Sequence, residues 1–211
     1  MILVISGPSG SGKSTIVKMM IQNNPQKYER IKSFTTRKSR KGKAASDDCY
    51  YFVTEKEFEI MDQSSNFLET NKYQGNSARY GTPKVPVFQA LQEKKTPILE
   101  IDVNGKKKIE KYFQKNVEIV SIFIVASPRT IFNRLLSRGE SPEEAVKRLK
   151  ASLNEVRQSA FYDLVVTNND LEHTLEVINH VLFNGVKNSG SVFALNEYIE
   201  ELQDLIREVS I

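Results

Sequence analysis

One octapeptide constrains this chain more than any other feature. Gly7-Pro8-Ser9-Gly10-Ser11-Gly12-Lys13-Ser14 matches the pattern G-x-x-x-x-G-K-[S/T] at every fixed position. An ordinary Gly-Ser turn could show such a string, so its context matters. The apolar run Met1-Ile2-Leu3-Val4-Ile5 precedes it and predicts a buried strand. Ile16, Val17, Met20 and Ile21 follow at helical spacing and predict a helix from about Lys13 to Gln22. Strand, glycine turn and helix together make a phosphate-binding loop. Its glycines let backbone N–H groups curl towards phosphate oxygens, and the helix N-terminus adds a favourable dipole. Residues 7–15, Thr15 included, are therefore the expected contacts to a nucleotide's phosphates. Lys13 would neutralise the β- and γ-phosphates, and the Ser14 hydroxyl would ligate Mg2+.

The rest of the chain alternates apolar strand patterns with helical ones. Strands are expected at 30–36, 50–53, 97–102, 117–125 and 164–166. Helices are expected at 55–62, capped by Thr54 with Glu57, and at 87–94, 105–113, 128–137, 142–160, 170–183 and 194–209. Such alternation predicts an α/β fold with a parallel sheet covered on both faces. The irregular block at 33–83 is too long for a simple crossover and reads as an inserted lobe. With 211 residues the chain has room for one such core and its appendages.

Composition removes several function classes. A single cysteine, Cys49, excludes an internal disulfide framework and a multi-Cys zinc site, and two histidines make histidine-based metal chemistry a poor reading. The net charge of +4 is spread along the chain, with local clusters at 37–43 and 106–108 but no aromatic-interleaved basic face. No nucleic-acid partner is expected. No stretch approaches the roughly 20 apolar residues of a membrane span. The apolar N-terminus is too short for a signal peptide, so the chain reads as cytoplasmic, with no membrane partner. A GTPase would need an N-K-x-D element, which the sequence lacks.

The inserted block carries the second signal. In Ser33-Phe34-Thr35-Thr36-Arg37-Lys38-Ser39-Arg40-Lys41-Gly42, two arginines three residues apart can both face one phosphate, which guanidinium forks bind well. A solvated basic loop is the alternative reading of this segment alone. The string resembles the S-x-T-T-R-x-x-R-x-G signature of guanylate kinases. The resemblance continues in order through Tyr50-Tyr51-Phe52-Val53, Phe67-Leu68-Glu69, Gly75-Asn76 with Tyr80-Gly81-Thr82, Ile98-Leu99-Glu100-Ile101-Asp102, the arginines Arg134, Arg138 and Arg148, and Val165-Val166-Thr167-Asn168. It covers roughly residues 2–183.

The resemblance implies a three-layer P-loop NTPase core (1–32 and 84–185), a small mixed α/β lobe for a nucleoside monophosphate (33–83) and a helical lid (about 136–148). It implies ATP-dependent phosphorylation of GMP or dGMP with Mg2+. Arg37, Arg40, Tyr50 and Tyr80 would hold the acceptor phosphate. Glu69, Ser33 and Thr82 would read guanine, with Glu100 and Asp102 beside them. Arg134, Arg138 and Arg148 would join Lys13 in catalysis, and Asn168 would lie near the adenine of ATP. The chemistry agrees, because guanine offers N1–H and N2–H2 donors that one carboxylate can accept together.

Several positions depart from the family pattern. Lys43 stands for a glutamate, Cys49 for an aspartate, Glu100 for the first aspartate of I-L-D-I-D and Asn104 for a glutamine; the segment between Gly75 and Tyr80 is longer. Glu100 keeps the charge but reaches about one methylene further. Two other readings stand beside the kinase: a binding module of the same fold without catalysis, and a kinase with another phosphorylated acceptor. Residues 186–211 lie outside the resemblance. Their apolar stripe (Leu195, Ile199, Leu202, Leu205, Ile206, Val209) fits docking on the chain's own core or a dimer contact, so a monomer or a homodimer is expected.

Overall fold

The computed structural model describes residues 1–39, 48–72, 78–185 and 194–210. The strands are β1 (Ile2–Ser6), β2 (Tyr28–Ile31), β3 (Ser33–Thr35), β4 (Tyr50–Phe52), β5 (Phe67–Lys72), β6 (Arg79–Pro83), β7 (Thr96–Glu100), β8 (Ile119–Val125) and β9 (Leu164–Thr167). The helices are α1 (Lys13–Asn23), α2 (Glu55–Gln63), α3 (Lys84–Gln92), α4 (Val103–Phe113), α5 (Pro128–Ser137), α6 (Pro142–Arg157), α7 (Leu171–Asn184) and α8 (Leu195–Val209). The chain divides into two compact units, one of Met1–Ile5 with Val17–Val120 and one of Ser6–Ile16 with Ser121–Ile211.

In the first unit β7 pairs in parallel with both β1 and β2, with Leu3 opposite Ile98 and Arg30 likewise opposite Ile98. All five residues of β1 are buried, as a strand covered on both faces requires. Ile2, Val4, Leu99, Val87, Ile109 and Phe113 pack into one apolar cluster. A separate four-stranded sheet has the order β4-β3-β6-β5. Here β3 runs parallel to β4 and antiparallel to β6.

This corrects the single strand expected at 30–36. The chain changes sheets at Lys32: β2 bonds to β7, whereas β3 bonds to β4 and β6. Periodicity shows extended backbone on both sides of Lys32 but carries no record of which partner each half will find. A smaller correction concerns α3, which begins at Lys84 rather than 87. Pro86 sits in its first turn, where a backbone N–H has no intrahelical acceptor and its loss costs little. The cap of α2 forms as expected: Thr54 accepts from the Glu57 amide while the Glu57 carboxylate accepts from the Thr54 amide at 2.7 Å.

In the second unit β8 and β9 pair in parallel. Ile122 to Val125 are fully enclosed. The 142–160 helix is shorter than expected; α6 ends at Arg157 and a 3-10 turn covers Ser159–Phe161. The stripe on α8 buries Tyr198, Leu202, Leu205 and Ile206, and α8 packs against α5 and α6. The Tyr198 hydroxyl donates to the Ala126 carbonyl at 2.7 Å. Among the described residues, no helix is long and apolar enough to cross a membrane.

Candidate active site

The phosphate loop lies in the second unit, between the end of β1 and the start of α1. Two of its glycines are structurally required. Gly7 has φ 140° and Gly12 φ 96°, both in the region that side chains avoid. A Cβ on Gly7 would collide with the Ile124 carbonyl, and one on Gly12 with the Asn168 amide. Gly7 therefore lies against backbone and Gly12 against a side-chain amide, with no room for a Cβ at either.

The loop is held by one internal bond and braced from outside by two side chains. The Ser11 amide donates to the Pro8 carbonyl at 3.2 Å. The Arg134 Nη1 donates to the Gly10 carbonyl at 3.1 Å. The Asn168 Nδ2 donates to the Ser11 carbonyl at 2.8 Å. Asn168 is itself held, because its amide N–H donates to Val125 at 2.7 Å and its Oδ1 accepts from Thr174. With its side chain buried and bonded in this way, Asn168 acts on the loop backbone. Lys13 folds back over the loop, its Nζ donating to the carbonyls of Gly7 at 2.6 Å and Pro8 at 2.8 Å. Ser9 and Ser14 are partly exposed and Thr15 is exposed. Arg138 is exposed at the C-cap of α5. Arg148 on α6 is ion-paired with Glu140, which is largely buried.

The first unit gathers the other expected residues. Glu69 on β5 lies opposite Thr82 on β6, and the Thr82 hydroxyl donates to Glu69 Oε1 at 2.6 Å. Since Phe34 pairs with Gly81, Ser33 continues the same row on β3. All three side chains are buried. Burial pushes the Glu69 carboxyl up to about 7; the Asp102 charge adds to the rise, and the Thr82 hydrogen bond and Lys108 oppose it. Asp102 caps α4, accepting from the Gly105 amide at 2.8 Å and from the Asn71 side chain. Gly105 keeps this corner open, because a Cβ there would crowd the Glu69 carboxylate at 3.3 Å.

Beyond this corner stands an aromatic and cationic cluster. The rings of Tyr50 and Tyr80 meet edge-on at 5.7 Å. The Arg37 guanidinium lies 5.4 Å from the Tyr50 ring and 5.3 Å from that of Phe52. Enclosure of its hydroxyl end pushes the Tyr50 phenol well above its ordinary range; Cys49, Tyr80 and Glu100 add to the rise and Arg37 opposes it. Glu100, at the end of β7, pairs with Arg30 of β2 at 2.9 Å. Arg40, Lys43, Gly75 and Asn76 lie outside the described residues.

Sequence reasoning missed Arg30, Asn71 and Glu140 as partners of Glu100, Asp102 and Arg148. An arginine in a short strand and an acid between two helices carry no local signal of their distant partners. Among the described residues no group of three or more His, Cys, Asp or Glu side chains could hold a metal ion.

Comparison with known proteins agrees with this geometry. The guanylate kinase family model matches residues 1–185. A guanylate kinase of Carboxydothermus hydrogenoformans is 38% identical over 184 residues, covering 86% of this chain and 87% of its own. One of Nostoc is 35% identical over 184 residues, covering 86% and 89%. The crystal structure of guanylate kinase from Anaplasma phagocytophilum superposes with a TM-score of 0.65 at 26% identity, covering 95% of this chain and 93% of its own. A braced phosphate loop, a buried acid-and-hydroxyl row and a family match spanning both place the chain in the guanylate kinase family.

Proposed function

We propose that the protein transfers the γ-phosphoryl group of ATP to GMP or dGMP. The observation that carries this reading is the buried row of Ser33, Thr82 and Glu69 in a chain that also keeps an intact phosphate loop. A carboxylate fixed by the Thr82 hydroxyl, whose one proton it accepts, retains lone pairs for the N1–H and N2–H2 donors of guanine, and the hydroxyl of Ser33 would serve O6 or N7. An adenine edge would leave these groups unpaired, which is costly in a buried corner.

The phosphate chemistry needs position and positive charge more than proton transfer. Arg37 and Arg40, with the hydroxyls of Tyr50 and Tyr80, would hold the acceptor phosphate so that one oxygen faces the γ-phosphorus in line. The loop amides and Lys13 would hold the donor. Arg134, which braces Gly10, and the lid residues Arg138 and Arg148 would bring charge to the equatorial oxygens as it develops. Asn168 contributes by keeping Ser11 and Gly12 in place.

Magnesium fits this chain as a companion of the nucleotide. The described residues hold no multi-carboxylate metal cluster, and the partly exposed Ser14 hydroxyl opens α1 beside the loop. That donor set suits an ion that keeps its waters and takes its other ligands from phosphate. Ser14 would hold it, and its charge would offset that of the phosphates.

A coupled assay with ATP, Mg2+ and a panel of nucleoside monophosphates tests the proposal. ADP should form with GMP and dGMP and stay near background with AMP, CMP and UMP. No ADP above background with either guanine nucleotide refutes it. Loss of ATP binding in Lys13→Ala would count against a module that uses the fold only for recognition.

A further inference from the structure

The Arg30–Glu100 pair is placed by strand geometry. Residues two apart on a strand share a face, so Ile98 and Glu100 project to the same side of β7. Arg30 lies opposite Ile98 in the parallel register of β2 and β7, and so projects to that side too. Its long side chain then spans the single step along the strand to Glu100, where Nη2 meets Oε1 at 2.9 Å. The pair is shielded from water, with 15% of the Arg30 side chain and 8% of the Glu100 side chain exposed.

Glu100 also stands at the carboxyl end of β7, the end of a parallel sheet at which ligands gather. Its charge reaches Tyr50, whose ring touches Tyr80 and lies under Arg37. Ile31 lies opposite Leu99, and two residues further on Ser33 pairs with Tyr50, so strand geometry sets this anion near the cluster expected to receive a phosphate dianion. Left uncompensated in so enclosed a place, it would repel that phosphate strongly.

We propose that Arg30 is a positioning residue for the acceptor: by pairing with Glu100 it fixes that carboxylate and cancels its charge beside the Arg37–Tyr50–Tyr80 cluster. The idea rests on the reading of this cluster as the acceptor-phosphate site. In this proposal Arg30 needs no contact of its own with the base or the phosphate. Its effect passes through Glu100, so it should fall on the acceptor and spare ATP.

The test compares full-length wild type, Arg30→Met, Glu100→Gln and the double variant by steady-state kinetics, with GMP binding measured by calorimetry in parallel. Arg30→Met should raise both KM and Kd for GMP by about tenfold or more, while KM for ATP stays within about twofold. Removing the Glu100 carboxylate as well in the double variant should recover most of that loss, and Arg30→Lys should lose less than Arg30→Met. Unchanged GMP binding in Arg30→Met overturns the proposal. So does a double variant no better than Arg30→Met, because Arg30 would then act through packing rather than charge. If Arg30→Met does not fold, the double variant is compared with Glu100→Gln. Similar GMP binding by the two supports the proposal, and a double variant about tenfold weaker refutes it. A wild type that turns over another monophosphate but not GMP would refute the guanine reading alone; the same four proteins would then be scored with that acceptor.

Discussion

Replacing Glu69 by glutamine while varying pH offers the sharpest test of the acceptor corner. Burial holds the Glu69 carboxyl at about 7 instead of 4.5, so the folded protein binds a proton there that the unfolded chain has released. The sign follows directly. The stabilising effect of that proton is complete below about pH 4.5 and is lost as pH rises through about 7. At about 1.4 kcal/mol per pKa unit, the loss amounts to about 3 kcal/mol between those limits. Guanine pulls the other way, because its donors require the carboxylate. Below about pH 7 the acceptor must therefore displace a proton, and its affinity should fall about tenfold per pH unit, so that binding at about pH 6 is about ten times weaker than at about pH 8. The assay is GMP calorimetry across this range in two buffers of different ionisation heat, which should register release of about half a proton at about pH 7. The acceptor phosphate titrates nearby, near pH 6. Glu69→Gln keeps that ionisation and removes only the carboxyl, so it supplies the baseline. It should bind GMP more weakly at about pH 8 and show a shallower pH slope. Wild type and Glu69→Gln with the same slope would refute the assignment of the buried carboxylate to guanine.

Three other expectations follow from the bracing of the loop and the tail. Gly12→Ala sets a Cβ against the Asn168 amide at a positive φ, so it should destabilise the protein by about 2–4 kcal/mol and abolish ATP-dependent turnover, as read by thermal denaturation and the coupled assay. Lys13→Ala should lower kcat by about a hundredfold or more and leave GMP binding within about twofold; equal losses in both would argue against separate donor and acceptor roles. Tyr198→Phe strands the buried Ala126 carbonyl and should cost about 1–2 kcal/mol, lowering Tm by about 3–6 °C with kcat unchanged. An unchanged Tm would mean that the Tyr198 hydroxyl adds nothing to the hold on α8.

Local information sufficed for much of this molecule. The loop, the helix after it, the cap of α2, and the apolar strands β1 and β8 are all short-range in origin, because capping and periodicity act within a turn or two of the chain. Tertiary structure decided the rest. It split the extended run at Lys32 between two sheets, laid α8 against α5 and α6, and turned Asn168 towards Ser11. It also brought Arg30 to Glu100 across 70 residues of chain and gave Glu69 a burial that moves its proton equilibrium. Those outcomes depend on which strands pair and on how much water the packing excludes. Neither quantity is a property of a residue and its near neighbours, and so neither can be read from the octapeptide that names the chemistry.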